Sequence, residues 1–326
     1  MWQTGASAEA RGTRHEAPVS VQRLAPDMDT ASQPVRRLSR RVREAGLGYL
    51  LIFPSLLAFA TFEFYPFFRN FYLSLYRTPP FPGLPKRWAG LDQVGDVLSS
   101  GDFRNSLKVT VLFALFTVPT GVILGLALAV LAHQRLRGIG IYRTIFSSTV
   151  ATSVAVASVI FFTLFNPEVG MLSYLVNSRD FLQDPTWALP AVSIAFIWQH
   201  LGITFILISA GLGAVPDELL EAAHVDGAGP WSRFRRITLP LLSPTIFFTV
   251  VVISINAFQA FGQIDLLTEG GPGDKTNVLV YAAYTEVFQR NNTGEAAVLA
   301  IALFFITLLL TIVQLTVLER RVFYGR

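Results

Sequence analysis

No cysteine occurs among the 326 residues, which excludes a disulfide framework, Cys-ligated zinc and an iron–sulfur centre. Histidine is scarce too, and His15, His133, His200 and His224 are too scattered to suggest a metal site. Charged residues make up only 15% of the chain, about half of it is hydrophobic, and the mean hydropathy of +0.48 is well above that of a soluble globular domain. A net charge of +4 is weak support for a nucleic-acid partner, because the basic residues lie beside apolar segments rather than on one soluble face. The composition places the chain in a membrane.

A bilayer core of about 30 Å needs roughly 20 apolar residues in a helix. Six such runs occur, near 47–68, 109–132, 142–165, 189–211, 245–267 and 296–318, and predict an all-α polytopic protein with six transmembrane helices. The third, fourth and fifth runs are the more polar: they hold Ser147, Ser148, Thr149, Thr152, Ser153, Gln199, His200, Thr204, Asn256, Gln259 and Gln263. These are expected to face protein or water, whereas the sixth is the most lipid-like.

Arginine and lysine set the orientation. With the N-terminus inside, seventeen of them fall in inner segments and eight in outer ones, with Lys108 at the edge of the second run, so both termini are placed in the cytoplasm. The first outer loop, with Arg69, Arg77, Lys86, Arg87 and Arg104, is an exception to that asymmetry. Residues 1–45 are polar and rich in Arg, Ala and Ser, and are expected to be a disordered cytoplasmic tail. Ala58-Phe59-Ala60 has the form of a signal-peptidase site, but the polar region before it is too long and the apolar run continues past it, so cleavage is not expected. The remaining organisation reads as a first span with an extracytoplasmic loop (46–103), a core of five spans (104–318) and a short C-terminal tail (319–326). Residues 78–90, 166–170 and 268–277 are turn-rich connectors on the outer side.

Residues 270–276, GGPGDKT, fail as a phosphate-binding loop, because Asp274 stands where glycine must precede the lysine. Gly121 and Gly125 form a GxxxG pair that lets two helices approach closely. Pro54, Pro66 and Pro119 are expected to kink or end their helices. Asn256, Gln259 and Gln263 follow one helical stripe, and Gln199, His200 and Thr204 cluster beside Trp198. These polar groups either bond across helices or line the path of a polar solute. No lysine or arginine lies near the middle of any span, so a fixed cation for an anion is not evident there. Asp265 and Glu63 have no obvious partner, which leaves a proton relay poorly supported.

Between the fourth and fifth spans runs VPDELLEAAHVDGAGPWSRFRRITLP, residues 215–240. Pro216 with Asp217 and Glu218 starts a helix whose apolar side carries Leu219, Leu220, Ala223 and Val225. Gly227-Ala228-Gly229-Pro230 breaks it, and a second short helix is expected from Pro230 to Leu239-Pro240, carrying Trp231, Phe234 and Ile237. By itself this is equally an interfacial hairpin whose arginines meet lipid headgroups.

Glu221-Ala222-Ala223, three residues, Gly227, nine residues and Ile237-x-Leu239-Pro240 resemble the EAA loop of permease subunits of bacterial ATP-binding-cassette importers. Asp226-Gly227-Ala228 has the form common in the carbohydrate-uptake class. FNPEVG, FQAFGQIDLLTEGGP and VQLTVLERRVFYGR are similar to the first permease of glycerol-3-phosphate and glycerophosphodiester importers. The resemblance covers roughly residues 45–326.

It implies a type I importer permease fold in the bacterial inner membrane, paired with a second permease, two ATPase subunits and an extracytoplasmic binding protein. ATP and Mg would sit on the ATPases; this chain would hold no cofactor and catalyse no hydrolysis. Glu221, Ala222, Ala223, Asp226, Gly227, Ile237, Leu239 and Pro240 would form the docking loop, with Arg233, Arg235 and Arg236 facing acids on the motor. Gln199, His200, Asn256, Gln259 and Gln263 would line the solute path. The implied solute is glycerol-3-phosphate or a glycerophosphodiester such as glycerophosphocholine, with a trehalose- or maltose-type disaccharide as the rival. A stand-alone secondary transporter would want an intramembrane coupling carboxylate or an inverted repeat, and a membrane enzyme a nucleophile–base or metal constellation; neither is visible.

Overall fold

The computed structural model describes residues 35–79, 84–134, 137–176, 180–318 and 322. The expected tail therefore lies outside the described residues up to position 34, as does the C-terminal tail apart from Val322. The described residues divide between Thr61 and Phe62 into two compact units. In the first, α1 (Val35–Phe59) begins ten residues before the tail was expected to end, over the arginine-rich run RRLSRRVRE. Arginine, leucine and glutamate are good helix formers, and the run holds no glycine or proline to stop a helix extending back from the apolar segment.

Among the described residues, five helical stretches are long and apolar enough to cross a membrane: Gly48–Ser74, Gly101–Ala132, Ala188–Gly213, Pro230–Phe258 and Thr293–Val317. The expected third span is instead a bent pair, Ile139–Ala151 and Val154–Phe165, with 106° between its halves. Thr152 and Ser153 are extended there, and the Ser153 hydroxyl accepts from the Val156 amide at 3.2 Å, capping the second half as a new helix.

The second unit holds α2 (Tyr65–Ser74), a short hairpin of β1 (Tyr76–Arg77) with β2 (Arg87–Trp88), α3 (Leu91–Ser99), α4 (Gly101–Ala132), α5 (Ile139–Ser148), α6 (Val154–Phe165) and α7 (Met171–Leu175). It continues with α8 (Ala188–Gly213), α9 (Asp217–Val225), α10 (Pro230–Arg233), α11 (Leu239–Phe258), α12 (Gly262–Leu267), α13 (Leu279–Phe288) and α14 (Thr293–Val313). The central packing is α4 on α8. Phe113 meets Phe196 edge to face at 5.2 Å, and Ala195, Ile253, Ile264 and Val278 close the surrounding core. A Cβ on Gly125 would lie 2.3 Å from Thr204 Cγ2, so only glycine allows this approach. Gly121, its partner in the motif, has nothing within 4 Å of its would-be Cβ, so one glycine of the pair sets the spacing.

Wide π turns occur at Ala60–Phe64 and at Phe234–Thr238, and each ends two residues before a proline, Pro66 and Pro240. Proline lacks the amide hydrogen, and its ring crowds the carbonyl four residues back, which lies within the π turn in both cases. Widening the turn keeps the helix running. The second short helix of the 215–240 segment consequently does not stop at Leu239-Pro240 as expected: it continues to Phe258 as one 29-residue helical stretch.

Candidate functional site

Two places collect the residues that the sequence singles out. At one end of the second unit, α9 opens at Asp217 after Pro216, with Asp217 and Glu218 in its first turn where the helix dipole favours acids. It closes on a Schellman motif: the Ala228 amide donates to Ala223 O at 2.9 Å and the Gly227 amide to His224 O at 3.0 Å. Gly227 holds φ at +81°, the left-handed bend that the glycine was expected to supply. Pro230 then begins α10, which runs through the π turn into the fifth span. Half-buried Leu220 and Arg233 help line a groove of about 580 Å³ with Val130, His133, Leu212 and Phe234, between α9 and the ends of α4 and α8.

The outward side of this finger carries Glu221, Ala222, Asp226, Gly227, Arg235 and Arg236, all exposed, with Ala223 and Arg233 half-buried behind them. Val225 is 87% exposed, Trp231 70% and Leu219 46%, so part of the expected apolar side of α9 points into solvent. Ile237, Leu239 and Pro240 are half-buried at the root of the finger. An apolar tip flanked by glutamate, aspartate and arginines is a surface built to be covered.

The second place lies between the spans. The fifth span does not reach residue 267 as one helix. α11 ends at Phe258, Gln259 takes φ −104° and ψ 12°, and α12 restarts at Gly262. This breaks the expected stripe of Asn256, Gln259 and Gln263. Asn256 is exposed and its amide donates to Val252 O at 2.9 Å; Gln259 is exposed beside Leu303 and Phe304 of α14; Gln263 is buried. The two interrupted spans meet break to break, a Cβ on Gly262 lying 2.5 Å from Val154 Cγ1.

Gln199 of α8 joins them. Its Nε2 donates to Thr152 O at 3.4 Å, and its Oε1 accepts from Gln263 Nε2 at 2.5 Å, so one amide bridges the interruption in each of two spans. His200 stacks on Phe196 at 3.9 Å with Nδ1 2.9 Å from Phe196 O, and Thr204 back-bonds to His200 O at 3.0 Å. Of the five expected path residues, the structure brings Gln199 and Gln263 into contact; the others occupy separate positions. The hydroxyls of Ser147, Ser148 and Thr149 bond to carbonyls three or four residues back, at 2.7, 2.7 and 3.3 Å, which satisfies them inside their own helix.

Sequence reasoning missed the α6 break. Ser153 ahead of VAVAS is a helix-start signal that was legible, since serine is a favoured N-cap. The first turn after it, Val154 to Val156, is exposed and presents the positive end of the helix dipole.

A bundle of long apolar helices with two interrupted spans and a bent polar finger has the architecture of a membrane permease. Residues 110–324 match the family described as binding-protein-dependent transport system inner membrane component, and the chain belongs to that family. It is 39% identical over 284 residues to the sn-glycerol-3-phosphate transport system permease protein UgpA of Agrobacterium fabrum, and 37% identical to that of Rhizobium meliloti. Each alignment covers 86% of this chain and 97% of the relative. A chain of a bacterial transporter involved in import of the acidic polysaccharide alginate superposes with a TM-score of 0.75 at 22% identity, over 87% of this chain and 99% of that one, and shows the same fold. The type I permease architecture and multi-pass membrane location expected from the sequence stand.

Proposed function

We propose that this permease forms, with a second permease, the translocation path of an ATP-driven importer for glycerol-3-phosphate or a glycerophosphodiester. The carrying observation is the full-length similarity to sn-glycerol-3-phosphate permeases, 39% over 86% of the chain. Both termini and the finger of residues 215–240 lie in the cytoplasm on this reading, which the arginine distribution favours. Two ATPase subunits hold ATP and Mg, and an extracytoplasmic binding protein delivers the solute.

Glu221, Ala222, Ala223, Asp226 and Gly227 dock in the motor, with Arg233, Arg235 and Arg236 facing its acids. The exposed Val225 and Trp231 support that role, since each would otherwise leave apolar area in water. Because α10 is continuous with the fifth span, rotation of the docked finger passes to Phe258 along one helix and stops at the Gln259 interruption. Motion delivered there reaches Gln263, Gln199 and the α6 break.

The path runs past these interruptions. Asn256 and the first turn of α6 face it; Gln199, His200 and Gln263 set its wall, and Gln259 flanks it beside α14. A phosphate is favoured at a helix N-terminus without a lysine or arginine, which answers the missing intramembrane cation. Uptake of labelled glycerol-3-phosphate, glycerophosphocholine and trehalose by a strain lacking this gene, with and without the gene restored, tests the assignment. Restored uptake of either phosphate compound is expected. Restoration of trehalose uptake alone transfers the protein to disaccharides.

A further inference from the structure

Against the positive-inside asymmetry, the first outer loop and the start of α4 are rich in cations, with Arg77, Lys86, Arg87, Arg104 and Lys108. Arg77 pairs with Asp96, and Lys86 Nζ donates to Thr293 Oγ1 at 2.8 Å. Arg104 and Lys108 are different. Both are exposed, and neither side chain has a hydrogen-bond or ion-pair partner among the described residues.

They stand one turn apart on α4, immediately after Phe103 and Leu107. Phe103 and Leu107 line a groove of about 460 Å³ whose other walls are Val94 and Leu98 of α3 and Val298, Ala302, Phe305 and Ile306 of α14. Ser74 of α2 also faces it, but that hydroxyl donates to Phe71 O at 2.8 Å, so the groove offers no free polar group. Wall residues from Val298 to Ile306 extend about 12 Å down the helix at its ordinary rise. Successive α4 positions differ by about 100° in direction, which puts Arg104 and Lys108 on the same exposed side as Val111 and Leu115, beside the groove rather than toward the core.

The level is marked independently. Tyr72, Tyr76 and Trp88 pack in series at this end of the bundle, the first pair tilted at 4.6 Å and the second edge to face at 5.1 Å, and Tyr72 and Trp88 are exposed. Tyrosine and tryptophan favour the membrane–water boundary. α3, with Leu91 and Leu98 exposed, has the form of a helix lying in that boundary. A dry slot opening to the hydrocarbon, with two unpaired cations at headgroup height, is complementary to a lipid with an anionic head.

We propose that the groove between α2, α3, α4 and α14 holds one acyl chain of an anionic glycerophospholipid whose phosphate is held at its rim by Arg104 and Lys108. The proposal rests on the membrane reading, and on the orientation above only for naming the leaflet as the outer one. It does not depend on which solute is carried. Its consequence is a lipid-dependent clamp joining α3 and α4 to α14.

The full importer, placed in nanodiscs of equal phosphatidylglycerol and phosphatidylcholine, tests it, with one lipid at a time carrying a photoactivatable acyl chain. Adducts are read by mass on the peptides containing residues 98–107 and 298–306. Labelling by phosphatidylglycerol is expected to exceed that by phosphatidylcholine about fivefold for each cation engaged. Arg104→Gln with Lys108→Gln should bring the two lipids level without abolishing labelling, and Ala302→Phe, which fills the slot, should remove labelling by both. Equal labelling in the unaltered complex, absence of adducts, or cross-linking of a photoreactive residue at position 98 to the second permease instead of lipid would overturn the proposal. Transport is not read, so failure of the solute assignment leaves these outcomes unchanged.

Discussion

Replacing Gly227 by valine isolates the bend of the finger formed by residues 215–240. A Cβ at 227 meets nothing within 4 Å, so steric packing contributes no cost there. The cost is in the backbone. At φ +81° an L-residue loses roughly 1–2 kcal/mol, and a β-branched side chain is the least tolerant. That loss falls on the two Schellman bonds, Ala228 to Ala223 and Gly227 to His224, which end a nine-residue helix with no fully buried residue. α9 should therefore open locally while α4 and α8 hold. In the purified complex, amides of residues 217–228 should exchange hydrogen about five- to thirtyfold faster, and uptake should fall as the ATPase dissociates. Gly227→Asn, which accepts left-handed backbone, should remain close to the unaltered protein. If the asparagine variant is as damaged as the valine one, or if the valine variant exchanges and transports normally, the bend is not held by backbone conformation and the reasoning fails.

Gln199→Leu leaves the buried Gln263 amide without its acceptor and should lower stability by about 1–2 kcal/mol. Gln199→Leu with Gln263→Leu should cost less than the sum of the single changes, and additive thermal shifts would show that the pair is not coupled. Gly125→Leu should destabilise by roughly 1–3 kcal/mol through overpacking against Thr204, whereas Gly121→Ala should be tolerated; equal melting temperatures for the two variants would contradict the α4–α8 geometry. Burial pushes the Glu286 carboxyl above its usual range, opposed in part by Arg290, while Glu295 and Asp102 reinforce the rise. The folded state thus binds this proton more tightly than the unfolded one: the stabilisation is present below the ordinary glutamate value and is lost as pH rises through the raised one. Glu286→Gln should flatten the dependence of melting temperature on pH from the ordinary glutamate range upward, and an unchanged slope would exclude Glu286 as its source.

Membrane insertion, the places of the apolar runs and the finger were legible because each depends on local properties. A bilayer demands about 20 apolar residues per crossing, and the six runs state that length directly. The finger was equally open to reading, since Pro216, Gly227 and Pro230 act on their own backbone without needing neighbours. Where the helices stop and what their amides touch belonged to tertiary structure. Asn256, Gln259 and Gln263 share a stripe only while the helix continues, and the bridge through Gln199 spans 64 residues to Gln263 and 47 to Thr152. The continuity of Pro230–Phe258 through Pro240 was likewise hidden, because a π turn can absorb a proline that sequence rules treat as a stop. Composition located the apolar runs and the turn residues of the finger; the bend inside the third run and the pairing of Gln199 with Gln263 were decided by helices far apart in sequence packing against one another.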